Sequence, residues 1–282
     1  MTAKILDGLA ATAHLKSRLK NAAGELIKKG IKPCLATVLV GDDQSSSLYV
    51  RNKQRAASEV GIVTRDHKLP SSCTDAELIE LIQLLNRDKQ IHGILVQLPL
   101  PQHIDKSLIL RLIDPKKDVD GLTPQNAGLL MTGKAVLKPC TPAGIIELLD
   151  YYKVEISGMD AIVINRSALV GKPLGFLLLE RDATVTICHS RTRSIAEKLK
   201  RADILVTAVG NRHKFLLTAD MIKPDSVIVD VGINKLDGKI TGDVDFESVK
   251  QKASWITPVP GGVGPMTISM LLKNTITAAS IE

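Results

Sequence analysis

Short apolar runs alternate with amphipathic stretches from one end of this 282-residue chain to the other. That alternation is the pattern of a parallel sheet covered by helices. A strand buried on both faces reads as a continuous apolar run, and its crossover helix shows a single apolar stripe. In the first half, 35–40, 62–69 and 93–98 read as strands, with helices over 46–60, 75–86 and 104–112. In the second, 160–165, 183–188, 204–209 and 227–231 read as strands, with helices over 173–180, 194–201 and a short one near 219–222. Prolines and glycines from Asp114 to Pro142 predict a loop-rich bridge that lines the substrate and leads to the domain joint. The expected architecture is α/β, as two three-layer α/β domains, the second Rossmann-like.

The segment 258–267 holds three prolines and three glycines between apolar stretches. Proline fixes φ and glycine permits sharp bends and close approach, so this loop is shaped to lie against a flat ligand. Beyond it Ile268, Leu271, Leu272, Ile276 and Ala279 recur at helical spacing, which predicts a terminal helix with Pro265 near its first turn.

Composition narrows the partners. Lysine and arginine exceed the acids by a net charge of +7, which favours an anionic ligand, yet aromatic residues are only 2% of the chain and leave little for base stacking. An acidic small molecule fits better than nucleic acid. No apolar run is long enough for a membrane span, and Cys34, Cys73, Cys140 and Cys188 form no C-x-x-C pair for zinc or a disulfide framework. The N-terminus has Asp7 and no apolar leader, so a cytoplasmic protein is expected.

The run Ile162-Val163-Ile164-Asn165-Arg166-Ser167-Ala168-Leu169-Val170-Gly171-Lys172-Pro173 carries a strand into a turn and then a helix, where a Rossmann-like fold binds a dinucleotide. The usual G-x-G-x-x-G is absent. Asn165 is expected to tolerate a left-handed turn, Gly171 to let the backbone approach phosphate, and free N–H groups at the helix start to attract an anion. After the next strand the chain reads Cys188-His189-Ser190-Arg191-Thr192-Arg193, with no carboxylate for the ribose hydroxyls of NAD. Ser190, Arg191 and Arg166 can instead pair with a 2′-phosphate, which predicts NADP.

Tyr49 and Lys53 lie four residues apart on one face of the predicted 46–60 helix. Asp118 and Asp120 precede Gly121 as a turn or, less readily, a D-x-D metal pair, and Asp243 and Asp245 read better as a turn and helix cap than as metal ligands.

These stretches together resemble the bifunctional methylenetetrahydrofolate dehydrogenase/methenyltetrahydrofolate cyclohydrolase family. The resemblance covers nearly the whole chain. It runs from Ile5-Leu6-Asp7-Gly8 through Tyr49-Val50-x-x-Lys53, Gly93-Ile94-Leu95-Val96-Gln97-Leu98-Pro99-Leu100-Pro101 and Lys117-Asp118-Val119-Asp120-Gly121. It continues through Pro139-Cys140-Thr141-Pro142, Arg166-Ser167-x-x-Val170-Gly171-x-Pro173, Asp230-Val231-Gly232-Ile233-Asn234 and Gly242-Asp243-Val244-Asp245 to the Pro/Gly loop.

The resemblance implies a one-carbon enzyme with tetrahydrofolate substrates that serves purine biosynthesis. Lys53 would be the catalytic lysine, Tyr49 its neighbour near the folate, Gln97 the partner that tunes Lys53, and Asp120 the pterin ligand. Leu98, Pro260 and Gly261 would complete the folate contacts. The cofactor set would be Asn165, Arg166, Ser167, Ser190, Arg191, Ile233 and Thr267, with no metal. It further implies a folate-binding catalytic domain over 1–139 joined by the helix 266–282, an NADP-binding domain over 140–265, and a homodimer through the nucleotide domain. Two positions depart from the family: Asn165 stands where Gly is usual, and Ser45 where Ala is usual. Asn165 places a side chain where the pyrophosphate approaches, which predicts weakened cofactor affinity. The rival readings are another two-domain NADP oxidoreductase resembling shikimate dehydrogenase, and a basic nucleotide- or RNA-binding protein.

Overall fold

The computed structural model describes residues 2–41 and 44–281 and, within them, all side chains except those of 44–49. In chain order, β1 (Lys4–Ile5) and α1 (Gly8–Lys28) precede β2 (Cys34–Val40), α2 (Gln44–Val60), β3 (Val63–Leu69), α3 (Asp75–Arg87), β4 (Gly93–Val96) and α4 (Lys106–Leu112). Next come α5 (Pro124–Met131), α6 (Cys140–Tyr151), β5 (Asp160–Ile164), α7 (Gly171–Leu179), β6 (Thr184–Cys188), α8 (Ile195–Leu199) and β7 (Ile204–Thr207). A 3₁₀ turn (Ala219–Met221) leads to β8 (Val227–Asp230), β9 (Asn234–Leu236), β10 (Lys239–Thr241), α9 (Phe246–Lys250), β11 (Trp255–Ile256) and α10 (Val263–Ser280).

The chain divides into two units. The first comprises His14–Cys140 with Ile268–Glu282, the second Met1–Ala13 with Thr141–Thr267.

In the first unit, β3, β2 and β4 form a parallel sheet with β2 in the middle, and all seven β2 residues are buried, as its unbroken apolar run predicts. Helix α3 starts at a capping box: Thr74 accepts from the Glu77 N–H, and the Glu77 carboxylate accepts from the Thr74 N–H. Val38, Leu78, Ile82, Ile94 and Ile109 belong to one buried cluster between sheet and helices. The bridge expected between 114 and 142 is more ordered than its glycine content suggests. Thr123 caps α5 through the Asn126 N–H, and Pro124 occupies the first helical turn. That Thr-Pro pair is a helix-start signal that the surrounding glycines masked.

In the second unit, six parallel strands run in the order β1-β11-β8-β7-β5-β6, with Ile162, Leu205, Ile228 and Ile256 in the core beside them. The chain leaves β5 to one side through β6 and returns to the other through β7, so the carboxyl ends of β5 and β7 flank a topological switch point, where such sheets bind ligands. Residues 1–13 go with this unit rather than with the expected 1–139 domain, because Lys4 and Ile5 pair with Trp255 and Ile256. A two-residue strand has too little periodicity to be seen in sequence. The β9–β10 hairpin, also unforeseen, is antiparallel and turns at Asp237-Gly238, both at positive φ.

Candidate active site

Lys53 lies on α2, and Gln97 directly follows β4, its N–H held by the Val38 carbonyl at 2.8 Å. The Gln97 side chain is oriented from both ends. Its Nε2 donates to the Leu98 carbonyl at 2.7 Å, and its Oε1 accepts from Lys53 Nζ at 2.9 Å. Burial pushes the Lys53 pKa below the ordinary lysine value, against the opposing pull of Asp120 and Cys140. The Tyr49 side chain lies outside the described residues, as do Asp42 and Asp43; the Tyr49 backbone is helical.

Asp120 is held by a built turn. Buried Asp118 accepts from the N–H groups of Leu122 and Thr123 at 3.1 and 2.7 Å and from Asn126 Nδ2 at 2.9 Å. Those bonds occupy the Asp118 carboxylate, as the turn reading expects. Gly121 sits at φ 68°, and a Cβ there would lie 2.6 Å from the Pro139 nitrogen. Between the two aspartates, Val119 points inward over Gly93, where a Cβ would meet Val119 Cγ1 at 2.5 Å. Asp120 is pushed above the usual carboxylate range by burial, while the Lys53 charge and the neighbouring Cys140 thiol draw it down. Burial, then the Asp120 charge, raises the Cys140 thiol well above its ordinary pKa.

Asn274 on α10 ties this loop together. Its Nδ2 donates to the carbonyls of Val119 and Lys138, both at 2.8 Å, and lies 3.8 Å from Cys140 Sγ. Lys53, Gln97, Leu98 and Asp120 thus share the first unit. Pro260 and Gly261 belong to the second, where the Gly261 carbonyl accepts from the Gly8 N–H at 2.9 Å.

At the switch point, Asn165 and Ser167 are partly buried and Arg166 is exposed. Asn165 does not adopt the expected left-handed conformation, since it is not among the positive-φ residues. Gly171 serves close packing: a Cβ there would lie 1.9 Å from the Asn165 carbonyl oxygen. Past β6 the chain turns tightly, the His189 N–H donating to Thr192 Oγ1 at 2.8 Å, and presents Ser190 and Arg191 to solvent. Ile233 is exposed just past β8, and Thr267 Oγ1 pairs with Thr141 Oγ1 at 3.0 Å.

At the end of β8, Asp230 accepts from Thr207 Oγ1 and from the N–H groups of Gly232, Asp243 and Val244, yet burial still pushes its pKa up to about 6. Asp243 accepts from the Val209 and Gly210 N–H groups and from Asn234 Nδ2. Its carboxylate therefore braces the loop. Asp245 occupies the cap position of α9 without a side-chain capping bond.

Residues 6–120 match the tetrahydrofolate dehydrogenase/cyclohydrolase catalytic domain, and residues 139–282 match the NAD(P)-binding domain of the same enzymes. This chain belongs to the tetrahydrofolate dehydrogenase/cyclohydrolase family. It is 56% identical to the bifunctional protein FolD of Nitrosopumilus maritimus over 100% of this chain and 98% of that one. The bifunctional enzyme FolD of Campylobacter jejuni superposes with a TM-score of 0.96 at 47% identity, covering 99% of both chains. The Trypanosoma brucei methylenetetrahydrofolate dehydrogenase-cyclohydrolase, solved with NADP and an inhibitor, gives 0.94 at 38% identity over 100% of this chain and 98% of that one. Membership in this family sets aside the shikimate dehydrogenase-like reading.

Two supporting residues escaped the sequence reading of this dehydrogenase/cyclohydrolase: Cys140, whose thiol donates to the Val119 carbonyl beside Asp120, and Asn274. Only Cys140 left a trace, standing between two prolines of a quoted motif; Asn274 lies 155 positions from the Val119 carbonyl it binds.

Proposed function

We propose that this enzyme oxidises 5,10-methylenetetrahydrofolate to the 5,10-methenyl compound with NADP and then hydrolyses that product to 10-formyltetrahydrofolate. The observation that carries the reading is the Lys53–Gln97 hydrogen bond, at a site where burial lowers the lysine pKa.

Bound NADP supplies the hydride acceptor for the methylene carbon. The exposed guanidiniums of Arg166 and Arg191 and the Ser190 hydroxyl fit its 2′-phosphate, and no carboxylate stands at the end of β6 to repel it. Ser167 is assigned beside the phosphates, and Ile233 and Thr267 to the nicotinamide end. Asp120 accepts the adjacent N–H donors of the pterin, with Leu98 and Tyr49 assigned to the folate. Hydrolysis needs a base near neutral pH. Because Gln97 Oε1 takes one N–H of Lys53, a neutral amine keeps its lone pair for the proton of the attacking water.

The same reading places the protein in the cytoplasm as a supplier of formyl groups for purine biosynthesis, acting on small molecules without a nucleic-acid partner. Its four cysteines are free and buried, which suits a reducing compartment. Among the described residues, no helix is long and apolar enough to cross a membrane. A homodimer forms through the nucleotide-binding unit: β6 is a sheet edge, and Ile187 on it and Phe176 and Leu179 on α7 expose apolar surface.

Purified protein given methylenetetrahydrofolate with NADP or NAD tests the reading. It predicts NADP reduction, faster than NAD reduction, with accumulation of 10-formyltetrahydrofolate. Absence of reduction with either nucleotide would overturn it.

A further inference from the structure

The loop between β5 and α7 bonds four of its N–H donors within itself. Asn165 Oδ1 accepts from the Ser167 N–H at 2.7 Å and from the Gly171 N–H at 3.2 Å, while Nδ2 donates to the Ala208 carbonyl beyond β7 at 2.5 Å. Ser167 Oγ accepts from the Val170 N–H at 3.1 Å, and the Ser167 carbonyl accepts from the Lys172 N–H at 3.0 Å. Pro173 has no N–H, and the Leu174 N–H is already bonded to the Val170 carbonyl at 2.9 Å. In a parallel α/β sheet the N–H groups of this turn are ordinarily the ones that receive a dinucleotide pyrophosphate. Here a carboxamide oxygen has taken two of them, and the bond to Ala208 anchors that carboxamide across the switch point.

We infer that Asn165 is a specificity-determining residue, its side-chain oxygen standing in for a pyrophosphate oxygen on Ser167 and Gly171. The 2′-phosphate then anchors the nucleotide. Of the groups flanking this crevice, Arg166, Ser190 and Arg191 are exposed and have donors to offer, and all three suit a phosphate monoester. A nucleotide without a 2′-phosphate meets a turn whose Ser167 and Gly171 N–H groups are already bonded to Asn165, so selection of NADP over NAD comes from what Asn165 withholds as well as from what the arginines add. The inference rests on the assignment of those three residues to the 2′-phosphate.

Calorimetric titration of the full-length protein with 2′-AMP and with 2′,5′-ADP separates the two phosphate positions without turnover. In the parent protein the extra 5′-phosphate should improve affinity by no more than about threefold, well short of a charge-assisted hydrogen bond. Asn165→Gly frees both N–H groups, and the gain from the 5′-phosphate should then widen to about tenfold or more. Asn165→Ala removes the same amide while keeping a Cβ and should move the same way. A parent gain above threefold, or a gain no wider in the variants, would overturn the inference. The parent measurement stands even if both variants misfold. Failure of the parent to bind 2′-AMP, or retention of that binding in Arg191→Ala, would instead overturn the underlying phosphate assignment and the inference with it.

Discussion

Lys53 Nζ donates to Gln97 Oε1 across 2.9 Å, joining a helix to the end of a strand 44 residues away. The strand end is rigid, because the Gln97 N–H is bonded within the sheet and Nε2 is bonded to the Leu98 carbonyl. An amide so held can present only its oxygen to Lys53, which fixes where the amine lone pair points. Gln97→Leu keeps the volume and removes the acceptor. Cyclohydrolase turnover should fall about tenfold or more while the folate KM moves less, as expected when a base is misaimed and binding is spared. Steady-state kinetics on methenyltetrahydrofolate checks this.

Asn274→Leu leaves the Val119 and Lys138 carbonyls without their shared donor. The loss should be about 2–4 kcal/mol of stability, from one buried and one partly buried hydrogen bond. A raised KM for folate should accompany it, because Val119 precedes Asp120. Denaturant unfolding and KM measured together test both.

Gly8→Ala should be far more damaging than a surface glycine change. A Cβ at Gly8 would sit 1.7 Å from the Gly262 carbonyl oxygen, in backbone with no flexible end to yield. We expect a loss of about 3 kcal/mol or more by thermal unfolding, whereas Gly24→Ala, inside α1 with no atom within 4 Å, should gain up to about 1 kcal/mol.

Asp230 gives the fold a pH dependence of defined sign. Burial pushes its folded pKa up to about 6, well above the ordinary aspartate value, so the native state binds a proton before the unfolded chain does. Stability therefore falls as pH rises from about 4 to about 6, by up to about 3 kcal/mol, and the penalty persists at neutral pH. Asp230→Asn should lower stability at every pH, because its amide donors face N–H groups, but should abolish this slope. Melting temperatures at pH 5 and pH 7 in both proteins provide the comparison.

Much of this architecture was legible because buried parallel strands announce themselves: the apolar runs at Leu35–Val40 and Ile204–Thr207 needed no partner to be recognised. What escaped depends on partners distant in sequence. Lys4 and Ile5 are a strand only because Trp255 and Ile256 lie beside them. Lys53 and Gln97 came together through the family pattern, since no local periodicity joins α2 to the end of β4. Asn165 was misread for a related reason. Its residue type suggested a left-handed turn, whereas its contacts with Ala208 and Gly171 give it a bracing role that only the folded loop defines.

The most direct test of the account is to substitute Lys53→Met and follow both reactions on the same preparation. The account predicts that methenyltetrahydrofolate hydrolysis falls by about a hundredfold or more while NADP reduction from methylenetetrahydrofolate stays measurable, because a general base serves only the water step. Cyclohydrolase turnover unchanged in that variant would contradict it.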